Sequence, residues 1–92
     1  MAIDQALINP DVVSTLLDNG EVVLMHMGTA SYFSLNQSGA RIWQLLEAGL
    51  SPAAIATQLI AEYEVTPVQA TQSVLTLMRQ LTAQGLLQVA VP

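Results

Sequence analysis

Three antiparallel strands followed by three short helices, an α+β arrangement in a single domain, is the fold this 92-residue sequence predicts. Three observations predict it. The first third holds β-branched runs separated by turn residues, with Asn19-Gly20 between the first two. The remainder carries apolar residues at helical spacing. Each of those helical stretches opens on a capping residue, and the first and third close on glycine.

Val12 to Leu17 reads as the first strand, bounded by Asp18-Asn19-Gly20-Glu21. Asn-Gly between two such runs predicts a type I′ hairpin turn, whose two central residues both need positive φ. The return strand runs from Glu21 to Met27, and Gly28-Thr29-Ala30-Ser31 forms the second turn. Tyr32-Phe33-Ser34-Leu35 makes a third strand, completing a meander with one packed face.

Asn36 is the N-cap of a first helix carrying Ile42, Trp43, Leu45 and Leu46, with Gly49 as its stop. Ser51-Pro52 opens a second, with Ile55, Leu59, Ile60 and Tyr63 on its apolar stripe. Thr66-Pro67-Val68-Gln69 is a capping box. It starts a third helix with Val74, Leu77, Met78 and Leu81 at i, i+3, i+4 and i+7, ended by Gly85. Leu86 to Val91 can add a terminal strand. No linker or repeat interrupts residues 1–92, so one domain is expected.

Three helices with a small sheet suggest a winged helix, a shape common among DNA binders. The charges argue against that use. Two arginines, no lysine and seven acids leave a net charge of -5 and a pI near 4.2. Nucleic acid and anionic membranes both need a basic footprint, so neither is an expected partner. Apolar residues make up 52% and mean hydropathy is +0.49, enough for a real core. No run approaches the ~20 apolar residues of a membrane span. Met1-Ala2-Ile3-Asp4 lacks a basic n-region, so no signal peptide and a cytoplasmic location are expected.

Chemistry finds little to work with. His26 is the only histidine and there is no cysteine, so no zinc site is expected. No nucleophile elbow or phosphate loop is present. Glu62 and Glu64 lie two apart and do not share a helix face. Trp43 and Tyr63 sit on apolar stripes and read as core. The expectation is a protein without catalytic residues, metal or cofactor.

The third strand stands out for another reason. Tyr32 to Leu35 lacks the lysine, proline or charge that usually blunts a sheet edge. A bare edge beside an apolar helix suits an added peptide strand. The residues alone leave a second reading open, in which the terminal strand or another copy of the chain covers that edge.

Tyr32-Phe33-Ser34-Leu35-Asn36-Gln37-Ser38-Gly39-Ala40-Arg41-Ile42-Trp43 resembles the PqqD family pattern: aromatic-x-Leu-Asn, two variable residues, Gly-Ala, then Ile/Val-Trp. Ala61-Glu62-Tyr63-Glu64-Val65-Thr66-Pro67 is similar to the family's Ala-x-Tyr-x-Val-Asp-Pro link. Leu77 to Leu81, then Gly85-Leu86-Leu87, resembles its closing helix. The likeness covers roughly Val12 to Val89, and its third strand is more similar to the generic or lasso-peptide members than to the quinone-cofactor proteins.

The resemblance implies a RiPP recognition element. Such a protein binds the leader of a ribosomally made precursor peptide by strand addition and presents it to a leader peptidase or radical SAM enzyme. The groove would lie between Ser31, Tyr32, Phe33, Ser34 and Leu35 and one face of the third helix. This chain has Ser73 and Leu77 where the family often has Asp and an aromatic, which implies a more apolar groove. With Val74 at zero on a helical wheel, Met78 lies near +40°, Leu81 near -20°, Leu77 near -60° and Ser73 near -100°. Val74 sits mid-stripe; Ala70, Ser73 and Leu77 share one flank, and Leu75 and Val68 mark the other. Either flank can face the third strand; the first is taken, giving Ala70, Ser73, Val74 and Leu77 as helix-side candidates. The alternatives are a winged-helix transcription regulator, which a gel shift would reveal, and a homo-oligomeric interaction module, with a weak homodimer through the strand edge.

Overall fold

In the computed structural model, which describes residues 5–90, the chain runs through eight elements. They are β1 (Gln5–Ile8), β2 (Val12–Leu16), β3 (Val22–His26), β4 (Ser31–Leu35), α1 (Gln37–Glu47), α2 (Pro52–Glu62), α3 (Pro67–Ala83) and β5 (Leu87–Ala90). Three antiparallel strands in the order β2-β3-β4 precede the three helices, as expected. β1 has no counterpart in the sequence reading. It pairs with β5 in a separate antiparallel ribbon, Gln5 opposite Ala90 and Ile8 opposite Leu87. The terminal strand thus goes to β1 and leaves β4 uncovered. Val91, the last residue of the expected strand, lies outside the described residues.

The hairpin at Asn19-Gly20 forms, but not with the expected turn. Gly20 has φ of 86°, while Asn19 stays at negative φ. Gly20 N–H donates to the Leu17 carbonyl and Leu17 N–H to the Glu21 carbonyl. That is a three-residue loop, Asp18-Asn19-Gly20, with glycine alone in the left-handed position. Asn19 instead uses its side chain locally, accepting from Glu21 N–H and donating to Glu21 Oε1. The second turn places Ala30 at φ of 55°, a conformation an alanine adopts only under strain.

The helix punctuation appears where local chemistry dictates. Asn36 Oδ1 accepts from Gly39 N–H, and Ser51 Oγ accepts from Ala54 N–H. Thr66 Oγ1 accepts from Gln69 N–H while Gln69 Oε1 accepts from Thr66 N–H, closing both arms of the capping box. α1 ends into Gly49 and α3 into Gly85, both at positive φ.

The core gathers Val22, Leu24 and Leu35 from the sheet with Trp43, Ile55 and Met78 from the helices. In β3, Val22, Leu24 and His26 point inward, and Val23 and Met25 are half-buried on the opposite face. His26 is structural: Nδ1 accepts from Thr29 N–H, and Nε2 lies 3.3 Å from the Asn9 amide. The same Asn9 amide donates to the Gly85 carbonyl, tying sheet and ribbon together. Tyr63 departs from expectation. It is the C-cap of α2 with extended backbone, so its ring leaves the apolar stripe and is 42% exposed. Among the described residues, no helix is long and apolar enough to cross a membrane.

Candidate functional site

β4 is an edge strand, bonded only to β3. Which of its backbone groups are free follows from the ladder. Leu17 donates to Glu21 and Met27 donates to Asp11, so odd-numbered residues of β3 turn their amides and carbonyls toward β2. Even-numbered residues therefore face β4, and Val22, Leu24 and His26 are the bonded partners of Leu35, Phe33 and Ser31. Tyr32 and Ser34 are left with N–H and C=O groups aimed at the open edge.

The side chains alternate the other way. Leu35 is buried and Phe33 half-buried on the core face, whereas Ser34 is exposed and Tyr32 is 70% exposed on the outer face. Beside this edge runs a groove of about 480 Å³. Phe33, Ser34 and Leu35 form its sheet side, the start of α1 its floor, and α3 its far wall. The flank of α3 that faces it carries Ser73 and Leu77.

Of the residues singled out in the sequence, Phe33, Ser34, Leu35, Ser73 and Leu77 share this groove. Ser31 and Tyr32 belong to the same strand but do not line it. Ala70 and Val74 are each 1% exposed and belong to the core behind the wall. Leu77 is itself only 8% exposed, so it contributes more to the core than to an open surface.

The wall also corrects the expected polarity. Gln69, Gln72, Thr76 and Gln80 line the groove beside Ser73, and Ile42 and Leu77 supply the helical apolar part. The groove is uncharged and mixed, with polar and apolar surface in nearly equal parts, and so less apolar than expected. These residues recur every three or four positions along α3, a signal visible in sequence. It does not single out a groove, because a polar stripe looks the same facing water or a groove.

No charged side chain lines the groove among the described residues. The ion pair Arg41–Glu62 lies outside it, joining α1 to the end of α2. Two guanidinium hydrogen bonds and one from Gln58 hold the Glu62 carboxyl down at about 2, and the same contact raises Arg41. Among the described residues no group of three His, Cys, Asp or Glu side chains is placed to hold a metal. The arrangement presents backbone hydrogen bonds along an edge and a neutral channel for side chains.

Comparison with known proteins bears on what fills such a channel. A sequence profile of the family described as coenzyme PQQ synthesis protein D (PqqD) matches residues 21–87, from β3 into β5. The structure of TbiB1 in complex with the TbiA(beta) leader peptide is similar with a TM-score of 0.86 and 38% identity, over 92% of this chain and 98% of that one. A lasso peptide synthetase B1 complexed with the leader peptide is similar with a TM-score of 0.81 and 32% identity, over 96% of this chain and 99% of that one. No curated protein matches in sequence.

Proposed function

The chain belongs to the PqqD family, and from that premise we propose that it binds the leader of a ribosomally synthesised precursor peptide by strand addition to β4. The observation that carries this reading is the pair of free backbone units at Tyr32 and Ser34 beside a neutral groove. Both similar solved structures hold a leader peptide, which supports it.

The geometry gives the reading a register. A leader running antiparallel exchanges hydrogen bonds with Tyr32 and Ser34, and its residues there point to the outer face with those side chains. The leader residues opposite Phe33 and Leu35 point into the groove, toward Ser73 and Leu77 on α3. These two positions, i and i+2 of the leader, are the anchors, each stabilising by about 1.5–3 kcal/mol if an apolar side chain is fully buried. Ser31 extends the strand platform, and Ala70 and Val74 hold the wall from behind.

The protein performs no chemistry in this proposal. It holds the leader so that a separate enzyme, a leader peptidase or a radical SAM enzyme, acts on the rest of the precursor in the cytoplasm. In the absence of leader the open edge of β4 can pair with a second copy, giving a weak homodimer that leader disperses.

The test is chemical-shift perturbation on titrating the precursor's leader. Amide shifts should concentrate at Tyr32 and Ser34 and along the Ser73 face of α3. Shifts confined to the β2–β3 hairpin or α2, with β4 silent, would overturn the reading.

A further inference from the structure

A second depression of about 470 Å³ adjoins the groove and shares Asn36 and Ser38 with it. Its remaining lining is Asn19 and Glu21 from the hairpin, Gln37 from α1 and Tyr63 at the end of α2. We propose that this depression is a subsite for a basic side chain of the leader, two to four residues N-terminal to the position opposite Leu35. The proposal rests on the leader-binding reading above and extends it past the end of β4.

Direction and distance place those residues there. A strand antiparallel to β4 meets Leu35 with its N-terminal end, so the segment before it continues past Asn36 over the start of α1. At about 3.3 Å per residue, two to four residues span roughly 7–13 Å, enough to cross from one depression to the next.

The lining selects a cation. Glu21 is half-buried, and Asn19 Nδ2 donates to its Oε1 at 2.8 Å, fixing the carboxylate. Its Oε2 has no hydrogen-bond partner among the described residues. Tyr63, exposed at the end of α2, lines the same depression, and an aromatic ring is a favourable second element of a cation site. Three donors of the lining are used within it, Gln37 Nε2 to the Asn19 carbonyl at 2.6 Å, Asn19 Nδ2 to Glu21 and Ser38 Oγ to Asn36 Oδ1, and the neutral Asn36 amide that remains is outweighed by the charge of Glu21. The start of α1 opposes a cation with about half a positive charge, but Asn36 Oδ1 caps it and the full charge of Glu21 outweighs it. No arginine lines the depression, and Arg41 is taken by Glu62. A chain of net charge -5 adds a favourable background for a positive ligand.

The probes are synthetic copies of the TbiA(beta) leader peptide, the one held in the similar TbiB1 structure. Each carries lysine, norleucine or glutamate two, three or four positions before the residue opposite Leu35. With the full chain, one lysine position should bind about three- to fivefold tighter than its norleucine twin, the size of one half-exposed charge contact. Glutamate at that position should bind more weakly than norleucine. In Glu21→Gln the lysine advantage should vanish while the norleucine peptide keeps its affinity, and Tyr63→Leu should reduce the advantage in part. Equal binding of lysine and norleucine at all positions, or an advantage that survives Glu21→Gln, overturns the subsite and leaves leader binding standing. Failure of every peptide to bind overturns both.

Discussion

Arg41 and Glu62, one on each of two neighbouring helices, are joined by two hydrogen bonds of 2.8 and 2.6 Å. The fork of the guanidinium meets both carboxylate oxygens, so the contact fixes the orientation of α1 against the end of α2 as well as their distance. Gln58 donates a third hydrogen bond to Glu62 Oε2 at 2.7 Å.

This pair gives stability a defined acid limit. Glu62 is depressed from 4.5 to about 2 in the folded protein, so its contribution is complete above the unfolded value and is lost as pH falls toward the folded one. Glu62→Gln should therefore lower the Tm at pH 6, and the difference from the parent should shrink between pH 4.5 and pH 2. Thermal melts across that range check it. An unchanged difference at the acid end would assign the effect to packing and not to charge.

Proline separates the two edges of β4. Ser34→Pro deletes an N–H that faces the open side, so the β3–β4 ladder survives and leader affinity falls by roughly tenfold or more, about one hydrogen bond and its register. Phe33→Pro deletes an N–H bonded to β3 and should unfold the sheet. Circular dichroism for folding, beside peptide titration for binding, distinguishes the two variants.

The wall of α3 separates core from groove in the same way. Leu77→Glu places a carboxylate at a site 8% exposed and should cost several kcal/mol of stability before binding is considered. Ser73→Arg lies on the exposed part of the same flank. It should leave the urea midpoint within about 0.5 kcal/mol of the parent and still weaken the leader by filling its channel. Loss of binding in the first variant alone, with Ser73→Arg binding normally, would move the peptide off this flank.

Salt should matter little to the strand-forming segment of the leader. With no charged side chain in the groove lining, affinity for that segment should change less than about threefold between 50 and 500 mM salt. A steep salt slope would indicate recognition by charge elsewhere on the surface.

Ala30 offers a stabilising change. Its φ of 55° costs an alanine about 1 kcal/mol or more, and glycine removes the cost at the expense of a looser unfolded chain. Ala30→Gly should raise stability by about 0.5 kcal/mol in urea unfolding. It should also leave leader binding intact, because the residue precedes β4 and does not line the groove.

How much could be read in advance depended on how local the cause was. Asn36, Ser51-Pro52 and Thr66 through Gln69 act within one helical turn, and each cap is where its residues indicate. The wheel drawn through Val74 puts Ser73 and Leu77 on one flank of α3, because angular place does not depend on what packs around it, but which flank meets β4 is a matter of tertiary packing and only the structure shows it. The β1–β5 pairing was invisible, since Gln5 to Ile8 finds its partner only after all three helices have folded the chain back. Asn19-Gly20 marked the hairpin but not its loop length, because side-chain bonds to Glu21 favoured one left-handed residue over two. Tyr63 was misplaced because a helix-wheel position means nothing once the backbone leaves the helix, as it does there.

The ribbon of β1 and β5 also sets an order in time. Its strands join the two ends of the described chain, the largest loop any pairing here must close. The β2–β3–β4 sheet needs only two tight turns, and the helices need only their own caps and a shared core. In refolding followed by pulsed hydrogen exchange, amides of β3 and β4 should be protected first and those of β1 and β5 last. The Asn9 side chain, bonded to the Gly85 carbonyl and resting against His26, is the latch that closes over that final step. The open edge of β4 is therefore built before the domain has finished zipping up its own ends.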